Sequence, residues 1–423
     1  MRISKGFTAL SMLPPKRLET MKRTIILNAG GLANDCLLYP EPLARNDQRI
    51  DQRSKRKSEM GRDYKSLRQT LALLLVTLVM GAAAFDARGE AASTPAGFYK
   101  LDCLGNSDTI VSIPFTRPET NSSLVQSIAG SLVTVSGTPG WLVDQFVYVS
   151  GTQSNTYYVR FLSSAKEGSY YPVVANGDNS LTLSLGGDDI SSVTNGTRLS
   201  VIPYWTLGTA FPGGKGVIAT ALSFSRKTEV MIPNVNGVGI NLSPGSPYYF
   251  LTNVNFPNGI WQQAGALTTN KNDDVLLPDN YFIVRNNTAS STVFTARGSV
   301  PISRLTVPLA AENFTKQDNF VALTRPATNT LNESGLVQSG AFLGSPTTFS
   351  RTDELLVFNN EVAAKNKAPT ARYFYLSPSN TWCQVGSGTT DMGNQPVFTP
   401  GTGVIIRKNT NSVSGLWINS PTY

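Results

Sequence analysis

The residues of this chain whose types could do chemistry are carboxylates set in Gly- and Asn-rich turns. They are Asp188 and Asp189 in GGDDIS, and Asp273, Asp274 and Asp279 in KNDDVLLPD. Two carboxyl groups facing each other across a cleft can hydrolyse a glycoside, one as acid and the other as base or nucleophile. The same oxygens, joined by Asn side chains and turn carbonyls in NKNDD or NGDNS, are the ligands that Ca²⁺ prefers. Neither loop has the spacing of an EF-hand. Asp273, Asp274 and Asp279 are therefore calcium candidates beside the plainer reading of solvated turn carboxylates. Other chemistry is narrower. The chain contains no histidine, which removes Ser–His–Asp and Cys–His nucleophile systems and any His-ligated zinc. FPGGKG at 211–216 lacks the spacing of a phosphate-binding loop, and no GxGxxG opens a helix. No catalytic residue and no cofactor-binding motif is assigned, and calcium is the one cofactor the composition leaves room for.

Two tryptophans recur in similar settings, Trp261 in WQQAG and Trp382 in WCQVG. Each can be a core aromatic contributing a large buried area, or a platform on which a sugar ring stacks. They belong to a longer echo. SFSRKTEVMIPN (223–234) is answered by TFSRTDELLVFN (348–359), YYFL (248–251) by YFYL (373–376), and LLPDNYFIVRNNT (276–288) by FTPGTGVIIRKNT (398–410). Upstream, SDTIVSIPFTRPETNSSLVQS (107–127) corresponds to QDNFVALTRPATNTLNESGLVQS (317–339). Arg226 and Arg351 precede Glu229 and Glu354 by three residues, and Arg285 and Arg407 close corresponding segments, so an Arg–carboxylate pair can form in each copy.

The elements that must position these residues read as strands. SLVTVSG, QFVYVSG, TYYVRFL, SLTLSLGG and NYFIVRNN alternate apolar with polar residues, and Gly, Asn and Pro clusters close them. No stretch after residue 91 holds a helical period for three turns. The expected fold is all-β: two copies of a roughly 110-residue β unit, the first interrupted by a small inserted β-barrel with about six short strands. The expected boundaries are 92–130 and 207–297 for the first copy, 131–206 for the insertion and 298–423 for the second copy.

The front of the chain is different. Arg62, Lys65 and Arg68 precede an apolar run from Leu71 to Phe85, and small residues follow up to Ala91. That is the plan of a secretory signal peptide over 60–91, too short to span a bilayer, so no transmembrane anchor is expected after cleavage. Residues 1–59 then read as translated upstream sequence or a disordered extension. Residues 1–91 carry 16 basic and 9 acidic side chains, which leaves 20 and 19 for the remainder. A net charge of +1 without a basic cluster argues against nucleic-acid binding.

The combination of this leader with SDTIVSIPFTRP, GTQSNTYYVRFLSSAKEG, SVIPYWTL, FPGGKG, KNDDVLLPDNYFIVR, KQDNFVALTRP and a terminal W-x-N-S-P-T-Y closely resembles a family of uncharacterised secreted all-β proteins. These occur as many paralogues per genome in the Verrucomicrobia and relatives. The resemblance covers 97–423 and carries no catalytic residue with it. It implies a bacterial protein exported to the periplasm, the outer surface or the medium of a Gram-negative-type cell.

Two functions from different classes follow. The first is a non-catalytic exported scaffold with a structural, adhesive or ligand-binding role toward an envelope or extracellular glycan or protein. The second is a polysaccharide-active enzyme using the carboxylates around Asp273–Asp279. Cys103 and Cys383 are left after the leader, in non-equivalent positions, and two free or buried thiols are preferred over a bond between the copies. If the leader is a signal peptide, N-terminal sequencing of exported protein will find a mature start between about residues 85 and 92; a secreted chain retaining 1–59 would refute it.

Overall fold

The computed structural model describes residues 95–266 and 269–423; the expected signal peptide and the segment before it lie outside the described residues. Strands dominate. The first part contains β1 (Ala96–Cys103) and β2 (Ser107–Val111), then β3 (Asn121–Ala129), β4 (Leu132–Val135), β5 (Tyr157–Phe161), β6 (Tyr170–Asn176), β7 (Ser180–Leu183) and β8 (Arg198–Pro203). There follow β9 (Trp205–Thr206), a one-turn helix α1 (Leu207–Ala210), β10 (Thr228–Met231), β11 (Tyr248–Asn253), β12 (Phe256–Gln263), β13 (Val275–Leu276), β14 (Phe282–Asn286) and β15 (Thr292–Ser299). The last part contains β16 (Leu305–Leu309), β17 (Gln317–Val321), β18 (Asn329–Thr330), β19 (Glu354–Val357), β20 (Ala371–Leu376), β21 (Thr381–Gln384), β22 (Pro396–Phe398), β23 (Val404–Lys408) and β24 (Gly415–Asn419). Among the described residues no helix is long and apolar enough to cross a membrane.

The fold is all-β, as the alternation predicts. One five-stranded sheet runs β12-β11-β10-β14-β2 and a second runs β21-β20-β19-β23-β17, so their strands correspond one for one. The flanking pairs correspond too: β1 with β15 answers β16 with β24, and β13 with β9 answers β22 with β18. Each half has its own core. Trp261, Phe211, Phe282 and Phe294 fill the first, and Trp382, Trp417, Phe342 and Phe398 fill the second.

Strands β3-β4-β7-β6-β5-β8 close into a six-stranded barrel, with Val125, Val133, Phe146, Val159, Phe161, Leu181, Leu199 and Val201 buried inside. Its first strand starts at Asn121, not at 131 as the sequence suggested. The shared LVQS letters caused the difference. Leu124–Ser127 lies within β3, whereas Leu336–Ser339 lies in turns after β18. In the second half two residues join Pro326 to β18; in the first half the segment from Glu119 to Tyr204 occupies that place. The ends of the barrel meet, because the Trp205 indole donates to Phe115 O at 3.0 Å and Arg117 Nη1 donates to Tyr204 O at 3.2 Å.

The two halves are joined by a contact made twice. Arg285 grips Asp108 with two hydrogen bonds of 2.7 and 2.8 Å, and Arg407 grips Asp318 at 2.7 and 2.9 Å. Each pair is completed from the opposite half. The Asn366 amide donates to Asp108 at 2.7 Å and its side-chain oxygen accepts from Arg285; the Asn241 amide donates to Asp318 at 2.8 Å and its oxygen accepts from Arg407. Both asparagines sit in left-handed backbone, φ 52° and 55°, which Asn tolerates better than most residues. The amides of Asp108 and Asp318 donate across to Ala364 O and Gly239 O, so β2 and β17, each an edge of its sheet, are covered by the other half. Ile110, Tyr281, Phe320 and Ala322 pack in the seam. Gly403 is required there, since a Cβ would stand 2.3 Å from the Tyr281 ring.

Asp318 is 2% exposed, and removing one member of a buried pair typically costs ~3–5 kcal/mol. Asp318→Ala is therefore expected to lower stability in chemical denaturation by about that amount, and Asp108→Ala, whose arginine is more exposed, by less. Equal small losses at both sites would contradict a role for the pairs in holding the halves together.

Candidate functional site

The carboxylates singled out by sequence do not converge. Asp273 accepts a long hydrogen bond from Tyr148 Oη of the barrel at 3.5 Å, and Asp274 pairs with Lys271 at 3.3 Å. Burial first, with the neighbouring Asp274 carboxylate second, pushes the Tyr248 hydroxyl up to about 12. Asp279 points elsewhere, accepting from Tyr170 Oη at 2.7 Å. Asp189 is tied to Ser191 within its own turn. Among the described residues no three His, Cys, Asp or Glu side chains gather as metal ligands would.

Asp279 does reach a cleft. A groove of about 590 Å³ opens where β6 of the barrel, the segment before β14, and strands β16, β17 and β24 come together. Leu277, Val307, Leu309 and Leu416 contribute apolar walls, and Asp279, Tyr170 and Asp188 contribute polar groups. The surrounding walls dehydrate Asp279 and raise its pKa above the ordinary carboxylate value, against the opposing pull of Tyr170 and of Arg160 nearby. Arg160 is 3% exposed, and its Nε meets no hydrogen-bond partner among the described residues. Asp188 differs. Burial opposes its ionisation, but Lys166 at 2.7 Å, Tyr171 and the Asp189 amide outweigh it and hold the pKa low. The groove therefore holds two carboxyl groups with pKa values displaced in opposite directions.

The tryptophans offer no platform. Trp261 and Trp382 are each 1% exposed. Trp261 packs against Phe211 and Phe250 with ring centroids 5.3 and 5.7 Å away, and Trp382 against Phe342 and Tyr375 at 5.1 and 5.6 Å. Cys103 and Cys383 are free and buried in separate clusters. Burial pushes the Cys103 thiol up to about 11, which makes it a poor nucleophile.

Phe98 and Phe314 are exposed singly, and two further exposed aromatics lie at equivalent positions of the doubled phrase. Phe224 is 80% exposed and Phe349, at the equivalent position, is 94% exposed. The loops that carry them are closed by the same bonds. At the base, Thr220 Oγ1 accepts from the Lys227 amide at 3.1 Å and Ser345 Oγ from the Thr352 amide at 3.0 Å. Thr220 and Ser345 are fully buried and each bonds the neighbouring strand, Thr220 N to Phe250 O at 2.8 Å and Ser345 N to Tyr375 O at 2.7 Å. Arg226 pairs with Glu229 and donates to Ser223 O at 3.0 Å; Arg351 pairs with Glu354 and donates to Thr348 O, also at 3.0 Å. The Arg–Glu pairs were legible in the sequence; the phenylalanine two residues before each arginine was passed over. The available signal was an apolar residue repeated in a turn otherwise rich in hydroxyls.

No family model, no curated protein and no solved structure matches this chain.

A raised pKa means that folded protein holds the Asp279 proton more tightly than unfolded chain. The resulting stabilisation is complete below the ordinary carboxylate pKa and is lost as pH rises through the raised value. Asp279→Asn cannot ionise, so its thermal midpoint is expected to exceed that of wild type at pH 7.5 and to match it near pH 3. A lower midpoint for the variant at pH 7.5 would show that the charged Tyr170–Asp279 bond is net stabilising.

Proposed function

We propose that residues 92–423 are the exported part of a bacterial, non-catalytic β scaffold that acts at the cell envelope or outside the cell, in a structural, adhesive or ligand-binding role. The observation that carries this reading is the investment in rigid display. A clasp made twice joins the halves, the barrel is docked beside them, and two closed loops hold bulky aromatics in solvent. Matching strand order and matching polar contacts further support an origin by internal duplication of one β unit, with the barrel inserted into the first copy. Export rests on the leader sequence, and bacterial origin on the family resemblance. The partner class is an envelope or extracellular glycan or protein.

A second reading is favoured by one feature of the groove. Asp279 with a raised pKa and Asp188 with a lowered one have the polarity of an acid and its partner base in glycoside hydrolysis. The enzyme reading thus moves from the Asp273–Asp279 segment to Asp279 with Asp188.

One pair of assays separates the two. Exported protein is applied to a glycan array and to isolated envelopes, and in parallel incubated with a polysaccharide panel while reducing ends are counted. The scaffold reading expects retention without new reducing ends. Release of reducing ends that Asp279→Asn and Asp188→Asn each abolish would establish the enzyme instead.

A further inference from the structure

We propose that Phe224 and Phe349 are paired polysaccharide anchors, each stacking its ring on the face of a neutral sugar unit; this rests on the ligand-binding reading above and names its ligand class. Leaving a phenyl ring in water forgoes the gain from burying it, and the chain does so at the same position in both halves. Neighbouring positions have diverged, with Leu222, Lys227 and Thr228 standing where Thr347, Thr352 and Asp353 stand in the second half. The ring has not. Its loop is also held without freedom to fold the ring away, since the buried hydroxyl at the base and the inward Arg–Glu pair fix both ends.

What surrounds the rings selects the ligand. Exposed Ser225 and Ser350 follow them directly. Both arginines turn inward, each paired with its glutamate and each lying over an aromatic ring, Arg226 on Tyr249 and Arg351 on Phe374. The surface common to the two loops is therefore one aromatic face beside a hydroxyl, without charge. A lipid surface would be better met by several apolar neighbours or by basic residues; the first loop exposes Leu222 and Lys227, but the second has Thr347 and Thr352 at those positions, so neither feature is common to the two. A hydroxylated ligand with an apolar ring face fits. Two anchors at equivalent positions of one chain suit a ligand whose unit repeats.

The test uses the full chain exported from a bacterial host, as wild type, Phe224→Ala, Phe349→Ala and the double variant. Retention is measured on insoluble cellulose, chitin, xylan and peptidoglycan, with phosphatidylcholine vesicles alongside. Wild type is expected to bind at least one polysaccharide. Each single variant should weaken binding by about 3- to 10-fold and the double variant by the product or more. Trp at either position should restore or strengthen it. Thermal midpoints should stay unchanged, since neither ring is packed. Undiminished polysaccharide binding by the double variant would overturn the assignment while leaving the glycan-binding reading in place. Retention on vesicles or envelope protein but on no polysaccharide would overturn the glycan assignment. Failure to bind envelopes at all would instead remove the ligand-binding reading beneath it.

Discussion

The contact on which the rest of this structure depends is the arginine–aspartate pair completed by an asparagine from the other half. An open sheet of five strands leaves two edges, and an uncovered edge invites pairing with another chain. Here β2 and β17 are each such an edge, and each is closed by a loop from the opposite half. A charged pair near a seam is costly unless its remaining donors and acceptors are used. Asn241 and Asn366 supply both: the amide meets the carboxylate, and the side-chain oxygen meets the guanidinium. Left-handed backbone is what aims both groups at one site, so the loop conformation and the ion pair specify each other.

With the halves fixed, each region's options narrow. The barrel can occupy a two-residue connection because its ends lie side by side, and its outer face, through Tyr158, Ile202 and Tyr204, is buried against the host near Val275. That docking creates the groove. Tyr170 leaves the barrel surface to meet Asp279, and the seam between halves supplies the opposite wall through β16, β17 and β24. Asp279 is thus a product of assembly. In the second half its place is taken by Gly401, and the backbone role survives alone: Ser112 N donates to Gly401 O and Ala322 N to Asp279 O, both at 2.9 Å.

The class, most strands and the Arg–Glu pairs were legible in the sequence because they are local, whereas QFVYVSG (145–151) forms turns and one isolated bridge and not the strand its alternation suggested. Period-two alternation reports a half-buried strand directly, and an arginine three residues before a glutamate at a strand start needs nothing distant to form. The barrel's start was not legible. LVQS occurs in both halves, yet in one it lies in a strand closed by Val201 and Leu199 and in the other in turns over a core. Burial was also hidden where it depended on partners far along the chain. Arg325, in the TRP motif, is 1% exposed because it holds Asn419 and Tyr423 near the end of the chain. The carboxylates misled for the same reason. Three aspartates within seven residues suggested one site, but the turn at Pro278 sends Asp279 toward Tyr170, while Asp273 and Asp274 stay with Tyr148 and Lys271.

The doubled phrase shows how one segment serves two ends. Its arginine and glutamate pair with each other, and the arginine also donates to a carbonyl at the start of the phrase, Ser223 O or Thr348 O. Its phenylalanine faces out, and no packing term accounts for it. A loop that only had to connect two strands would gain solubility from a polar residue at that tip and lose no contact. The bonds that hold the base of the loop would also lower the entropy lost in the proposed contact of its tip with a ligand. Rigidity at the base and an unburied ring at the tip are therefore one device, and the fold carries it in both halves.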